Sequence, residues 1–467
     1  MRTPRSSRHL VPPLLLALAV GGCTSHRPDR VSVSGTSGDK TLLTPWGKPV
    51  PTGGTGGSGG GTAGGAAETL SGSAPKAAAG SAADGGSGTG SSTGSGGYDT
   101  AGSGNPLPPD AQSGALRAGT VDDNAHFSDY LAFLRQMSAA GVHGDPLDVT
   151  ERHVVTVLDR DGKPVLAAKV ALLDAGKVVQ TARTHADGRA LLFPNVAGGG
   201  DTVEVSFGGE TVRRDLAGGS GTDGVTPGGA TGGDLTVRLA AARPDAPVRL
   251  DLHFLVDTTG SMGDEIARLR TTIDAVAGEI AALPQKPDVR YGLTVYKDHG
   301  DAYVSRTHDF TDLATFRKEL STTVADGGGD TPEALDEAFH GAVNGPSWDS
   351  DHAVQIAFLV ADASPHLDDG QSGPSYAKDV VIAQAKGIEV VPLASSGTDD
   401  PAELVFRELA EYSLGTFFFL TYGPDGRSPG DTTDRHVDGF QTGSLDELVV
   451  THVKSRLAAL DGKAAAQ

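Results

Sequence analysis

Of 467 residues, 38 are Lys or Arg and 59 are Asp or Glu, which leaves a net charge of −21. That balance excludes a protein that grips nucleic-acid phosphates through clustered basic side chains, and a single cysteine excludes an internal disulfide. The 66 glycines are about twice the usual share, but they lack the G-x-y period of collagen and are concentrated locally.

The chain opens with Arg2, Arg5 and Arg8, followed by the apolar run Val11 to Val20. The run is too short to span a bilayer and fits a secretory h-region. It leads into Val20-Gly21-Gly22-Cys23, which resembles the lipobox of bacterial lipoproteins. That resemblance implies cleavage before Cys23, lipidation of its sulfur and anchoring to a membrane of the bacterial cell envelope, so residues 1–23 are read as a lipoprotein signal peptide. Two or three acyl chains anchor stably where one does not.

Residues 24–119 are dominated by Gly, Ser, Thr and Ala, with few charges between Gly53 and Leu107. Such a stretch cannot bury enough apolar surface to offset its ordering entropy and is expected to be a disordered tether. Roughly 95 residues at about 5–6 Å × √n give a reach of about 50–60 Å.

Residues 120–147 are expected to be a helical lead-in, because Phe127, Tyr130, Leu131, Phe133, Leu134 and Met137 recur at helical spacing. From 148 to 243 the pattern is of short strands, with Asp161-Gly162 and Asp187-Gly188 supplying turn chemistry. The stretch Val154-x-Val-x-Asp159-x-Asp-Gly162-x-Pro164-Val165, with Asp187-Gly188-Arg189-Ala190 after it, resembles carboxypeptidase-regulatory-like or Cna-B-like β-sandwiches. That resemblance implies a spacer or packing partner.

From 248 to 460 apolar strands alternate with helices. Leu250 to Val256 reads as a strand, and Ile266, Leu269, Ile273, Val276, Ile280 and Leu283 form the stripe of the helix after it. A helix is expected near Pro332, and a last one after Ser444, whose spacing to Glu447 matches a capping box. Alternation of this kind predicts an α/β fold, a doubly wound and mostly parallel sheet covered on both faces, with ligands bound beyond the carboxyl ends of the strands.

Three strand-end loops carry oxygen donors. The first strand ends in Asp257-Thr258-Thr259-Gly260-Ser261, a middle loop holds Gly327-Gly328-Gly329-Asp330-Thr331-Pro332-Glu333, and the strand from Val354 ends at Asp362. Oxygen donors without sulfur or imidazole specify a hard divalent cation, Mg²⁺ foremost, with Ca²⁺ or Mn²⁺ as alternatives.

The segment resembles a von Willebrand factor A domain with a metal-ion-dependent adhesion site, a Rossmann-like fold. Many members read Gly-Gly-Thr in the middle loop, where this chain has Gly329 in place of the threonine. Asp330-Thr331-Pro332-Glu333 is closer to the Asp-Ser-Pro-Glu of integrin β I-like domains. The resemblance implies Asp257, Thr259, Ser261, Glu333 and Asp362 as the primary metal set. It implies a second cation held by Asp298, Asp330, the Pro332 carbonyl and Glu333, and a third held by Asp264 and Glu265. Thr331 would ligate in the commoner pattern, and otherwise is expected as a helix cap or a supporting hydroxyl. His366 is expected to be a structural hydrogen-bonder.

In that family the metal's open position takes an acidic side chain of the partner. The expectation is therefore a membrane-anchored, extracytoplasmic, non-enzymatic adhesion module whose partner is a protein presenting Asp or Glu. Two other functions fit the same residues: a hydrolase using the cation with His299 or His366 as base, and a passive envelope scaffold whose metal pocket goes unused.

Overall fold

The computed structural model describes residues 117–216, 231–244, 247–329, 331–367, 373–395, 397–421, 436 and 441–462. The signal segment, Cys23, nearly all of the tether and Asp330 lie outside the described residues, as does the Asp264 side chain.

An eight-stranded sheet organises the molecule. Its central strands are β9 (Arg249–Asp257), β10 (Asp288–Tyr296), β12 (Ala353–Ala361), β13 (Ile388–Ala394) and β14 (Phe417–Thr421), all parallel to their neighbours in the order β10-β9-β12-β13-β14. β11 (Ser305–Thr311) closes one edge antiparallel to β10. β9 and β12 are buried along almost their whole length because helices cover both faces, and β9 buries Asp251 and His253 among its apolar residues.

Residues alternate between two cores. Leu252, Phe254 and Val256 of β9 face α3 (Gly263–Ala281), α4 (Leu313–Thr322) and α8 (Leu445–Ala459). Leu255 faces the opposite core with α5 (Leu335–Asn344), α6 (Tyr376–Lys386) and α7 (Asp400–Tyr412). All six stripe positions of the α3 region, Ile266 through Leu283, are buried in the first of these cores. α8 is capped by Ser444, whose Oγ accepts the Glu447 N–H at 3.4 Å.

The far edge departs from the sequence reading. β1 (Arg117–Val121) runs antiparallel between β14 and β15 (Gln441–Ser444), so residues 117–119 belong to a strand rather than to the tether. A Cβ on Gly119 would lie 2.3 Å from the Phe419 ring, so only glycine lets the strand pass there. α1 (Phe127–Ala140) follows and buries Tyr130, Leu131, Phe133 and Met137 against the α7 side of the sheet.

Between α1 and β9 lies a small sandwich with seven strands among the described residues. β2 (Glu151–Leu158), β5 (Arg189–Leu192) and β8 (Thr231–Arg238) form one sheet; β3 (Lys169–Asp174), β4 (Lys177–Arg183), β6 (Thr202–Phe207) and β7 (Glu210–Asp215) form the other. A short helix, α2 (Pro194–Ala197), follows β5. Val155, Val157, Val170, Leu172, Val203 and Val205 meet between the sheets. The sandwich packs against the helical layer: Phe193 stacks on Tyr412 at 4.4 Å, and Gln180 donates to Gln384 Oε1 at 2.7 Å.

No helix among the described residues is long and apolar enough to cross a membrane.

Candidate metal site

β9 delivers Asp257 to the carboxyl rim of the sheet, between β10 and β12, where the chain's winding reverses. This is the place where an open α/β sheet leaves a crevice. Asp257 is fully buried, and its Oδ1 accepts both the backbone N–H and the hydroxyl of Thr259, each at 2.8 Å. Ser261 is exposed and its Oγ lies 3.3 Å from Thr259 Oγ1, so the loop points two hydroxyls and a carboxylate the same way. Thr258 turns the other way and anchors the turn, donating to the Tyr296 carbonyl at 2.6 Å.

The glycine loop fits over this turn. The Gly260 N–H donates to the Gly327 carbonyl at 3.1 Å, and the Gly328 N–H donates to Asp301 Oδ2 at 2.9 Å. Gly328 has φ +67°, and a Cβ there would lie 3.0 Å from Thr259 Cβ and 3.2 Å from Glu333 Oε1. The absence of a side chain at Gly328 is what lets Glu333 approach Thr259. Glu333 is tied to the third loop as well, its N–H donating to the Ser364 carbonyl at 3.0 Å, two residues beyond Asp362.

Electrostatically the rim is in deficit. Burial and the neighbouring Asp362 push the Asp257 carboxyl up to about 7. Burial, Asp257, Asp298, Asp362 and Asp301 push Glu333 up to about 8. Asp362 is raised by burial, an effect that a hydrogen bond from Ser261 reduces. Lys297, whose charge lowers the Asp257 carboxyl, is buried but spends its ammonium on the Thr258 carbonyl at 2.6 Å and on the Asp326 carboxylate at 2.5 Å. Asp257 Oδ2 and Glu333 Oε2 are both buried with no donor in hydrogen-bonding geometry, the buried Tyr296 hydroxyl close to Asp257 being unpaired as well. A buried carboxylate oxygen left unpaired is costly, and a divalent cation satisfies both at once. The donor set, all carboxylate and hydroxyl oxygen, suits Mg²⁺, Ca²⁺ or Mn²⁺.

The remaining sequence candidates are placed differently. Asp298 directs its Oδ1 to His366 Nε2 at 2.6 Å, while remaining close enough to Glu333 to raise it. Its expected companion Asp330 lies outside the described residues, and Pro332 is half-buried. Thr331 is exposed and caps no helix: α5 begins at Leu335, with Ala334 in the cap position. The expectation of a cap therefore fails: Glu333 is held to the Ser364 carbonyl by its own N–H, and the chain turns tightly at Ala334, where the Leu335 N–H reaches the Glu333 carbonyl at 2.8 Å, before the helix starts. Glu265 is buried at the start of α3. His366, expected as a structural hydrogen-bonder, does bond Asp298, but it also stacks on His299, with ring centroids 5.0 Å apart. That pairing was invisible in a sequence where the two lie on separate loops. Asp301, which supports the Gly328 N–H, was missed too; its only signal was the polar run Lys297-Asp298-His299-Gly300-Asp301.

Comparison with known proteins bears on residues 251–421, which match the sequence model of the von Willebrand factor A domain family. A search of the curated proteins returned no match. Among solved structures, the pilus adhesin SpaC from Lactobacillus rhamnosus GG aligns with a TM-score of 0.30 and 12% identity. The alignment covers 48% of this chain and 32% of the adhesin, so the chain spans about a third of that protein's length.

Proposed function

We propose that the von Willebrand factor A domain of residues 251–421 is a binding module that captures an acidic side chain of a protein partner through a divalent cation, with Mg²⁺ the first choice. One observation carries this reading: Asp257 Oδ2 and Glu333 Oε2 are buried and unpaired at a rim that also gathers Thr259, Ser261 and Asp362. These five residues would hold the ion. When bound, the ion supplies a Lewis-acidic position that a carboxylate of the partner can fill.

The chain's own residues do the rest. Gly327 and Gly328 bring Glu333 over the first loop, Thr259 holds the Asp257 carboxylate in orientation, and exposed Ser261 marks the side open to solvent. Three carboxylates around a divalent ion leave about one net negative charge, and the whole chain is acidic. An acidic partner therefore gains nothing from long-range steering, which salt screens beyond about 8–10 Å, and attraction must act at contact.

The test is capture of envelope proteins by the full chain in Mg²⁺ and in EDTA, beside Asp257→Ala. Capture should vanish in EDTA and in the variant, yet change little with ionic strength. A partner retained in excess EDTA would overturn the metal bridge. We place the module outside the cytoplasm, held to a bacterial membrane through lipidated Cys23. Incorporation of radiolabelled palmitate that persists in Cys23→Ser would refute that anchor.

A further inference from the structure

A second cluster lies on the same rim and has different chemistry. Asp298 and His299 follow β10, and His366 follows β12, so the sheet brings together three side chains from two loops more than sixty residues apart in sequence. One potential ligand atom from each of the three lies within 4.8 Å of the other two. Asp298 and His366 are already in contact at 2.6 Å, and the two imidazoles are stacked with an interplanar angle of 25°. His299 is the exposed member, and its Nε2 lies 2.8 Å from Glu337 Oε1.

We propose that Asp298, His299 and His366 form a separate site for a borderline divalent transition ion of the Zn²⁺ class. Two imidazole nitrogens and one carboxylate are the donor set such ions prefer, whereas Mg²⁺ and Ca²⁺ favour the oxygen cage next to it. Zinc–nitrogen and zinc–oxygen bonds of about 2.0–2.2 Å place neighbouring ligand atoms about 3.3–3.5 Å apart. The Asp298–His366 contact opens by less than about 1 Å when the ion replaces the shared proton, and His299, exposed on a loop that continues into Gly300 at φ +92°, swings in to complete the set. Glu337 beside His299 supplies the carboxylate that orients a metal-bound imidazole. With three protein ligands and an exposed histidine, the fourth position is left to water or an incoming group, as in open zinc sites. Asp301 and Glu333 add negative charge nearby, since both act on the same loop cluster.

The inference stands apart from the adhesion reading, because no residue of this triad belongs to the primary oxygen set. It is tested with Co²⁺, a spectroscopically visible substitute for Zn²⁺, titrated into the full chain in excess Mg²⁺. A saturable visible absorption band is expected at one equivalent and should be displaced by Zn²⁺. His366→Ala and His299→Ala should each weaken Co²⁺ binding by at least about tenfold, and Glu337→Gln by about tenfold through loss of orientation. His299 is exposed, so its truncation leaves folding intact and keeps the test valid should His366→Ala misfold. Co²⁺ affinity within about twofold of the parent in His299→Ala overturns the site. Asp257→Ala separates the two proposals: Co²⁺ binding lost with Asp257 belonged to the oxygen cage, and that result also overturns the nitrogen site.

Discussion

Two buried carboxylates in the same sheet behave in opposite ways. Glu389 on β13 is buried, which by itself raises its carboxyl. Arg456 in bidentate contact at 2.7–2.9 Å and His452 at 2.8 Å outweigh that burial and hold Glu389 well below the usual carboxylate range. Asp257 on β9 is equally buried, but its strongest charged neighbour is another acid, and its carboxyl rises to about 7. Burial is common to both, and the amount of positive charge in contact decides the outcome: Arg456 and His452 together outweigh burial at Glu389, whereas Arg152 alone does not at Glu411, which burial pushes up to about 8. Where the chain supplies its own cation, the carboxylate is part of the scaffold. Where it supplies too little, as at Asp257, which Lys297 reaches only weakly, the fold carries an electrostatic cost that an external ion would relieve.

The largest effect expected from this contrast is at the compensated site. Arg456→Ala strands Glu389 in the core beneath α8 and should cost about 3–5 kcal/mol in urea unfolding. A loss below about 1 kcal/mol would mean the arginine is not what holds Glu389 ionised.

At the rim the prediction concerns pH. Asp257 and Glu333 have native carboxyls raised to about 7 and about 8 from ordinary values of 3.8 and 4.5. The metal-free native state therefore binds more protons than the unfolded chain between about pH 4 and pH 8. Its stability should fall as pH rises through that window, at up to about 1.4 kcal/mol per pH unit for each extra proton. Melting in EDTA from pH 5 to pH 8 should show this decline, to which half-buried Asp336 and buried Glu408 and Glu411, raised to about 7, 8 and 8, also contribute; the rim's share is the part that Mg²⁺ reverses at the alkaline end. Mg²⁺ affinity should itself rise about tenfold per pH unit for each proton displaced. A flat profile in EDTA would show the rim to be compensated after all.

Gly328→Ala sharpens the comparison geometrically. It puts a Cβ at φ +67° against Thr259 and Glu333, and should cost about 1–2 kcal/mol while weakening Mg²⁺ binding measured by calorimetry. The smallest effect serves as a control at a helix cap that contacts none of the ligand residues. Asp312 caps α4, accepting the N–H groups of Ala314 and Thr315 at 2.8 and 3.0 Å, and Asp312→Ala should cost about 1 kcal/mol without changing metal affinity.

Much of the rim was legible in sequence because its parts are local. Asp257-x-Thr259-x-Ser261 follows an apolar strand, and any tight turn there presents the carboxylate and both hydroxyls together. The Ser444 cap and the α3 stripe are local as well, and both appear where the spacing put them. The β1 strand was not legible. Arg117–Val121 is short, contains Gly119 and finds its partners about 300 residues later, in Phe417–Thr421 and Gln441–Ser444. Nothing within its own neighbourhood distinguishes it from the end of a glycine-rich run.

The sequence by itself determined the alternation of strands and helices and the oxygen donors at the strand ends, since both follow from side-chain periodicity and short-range turn chemistry. Only the tertiary structure decided which buried carboxylates meet enough cationic side chain to stay ionised, as Glu389 does, and which do not, as at Asp257 and Glu333. It also decided that His299 meets His366 over Asp298, because those encounters depend on which strands lie side by side, and strand adjacency is fixed by packing across the whole sheet rather than by any local run of residues.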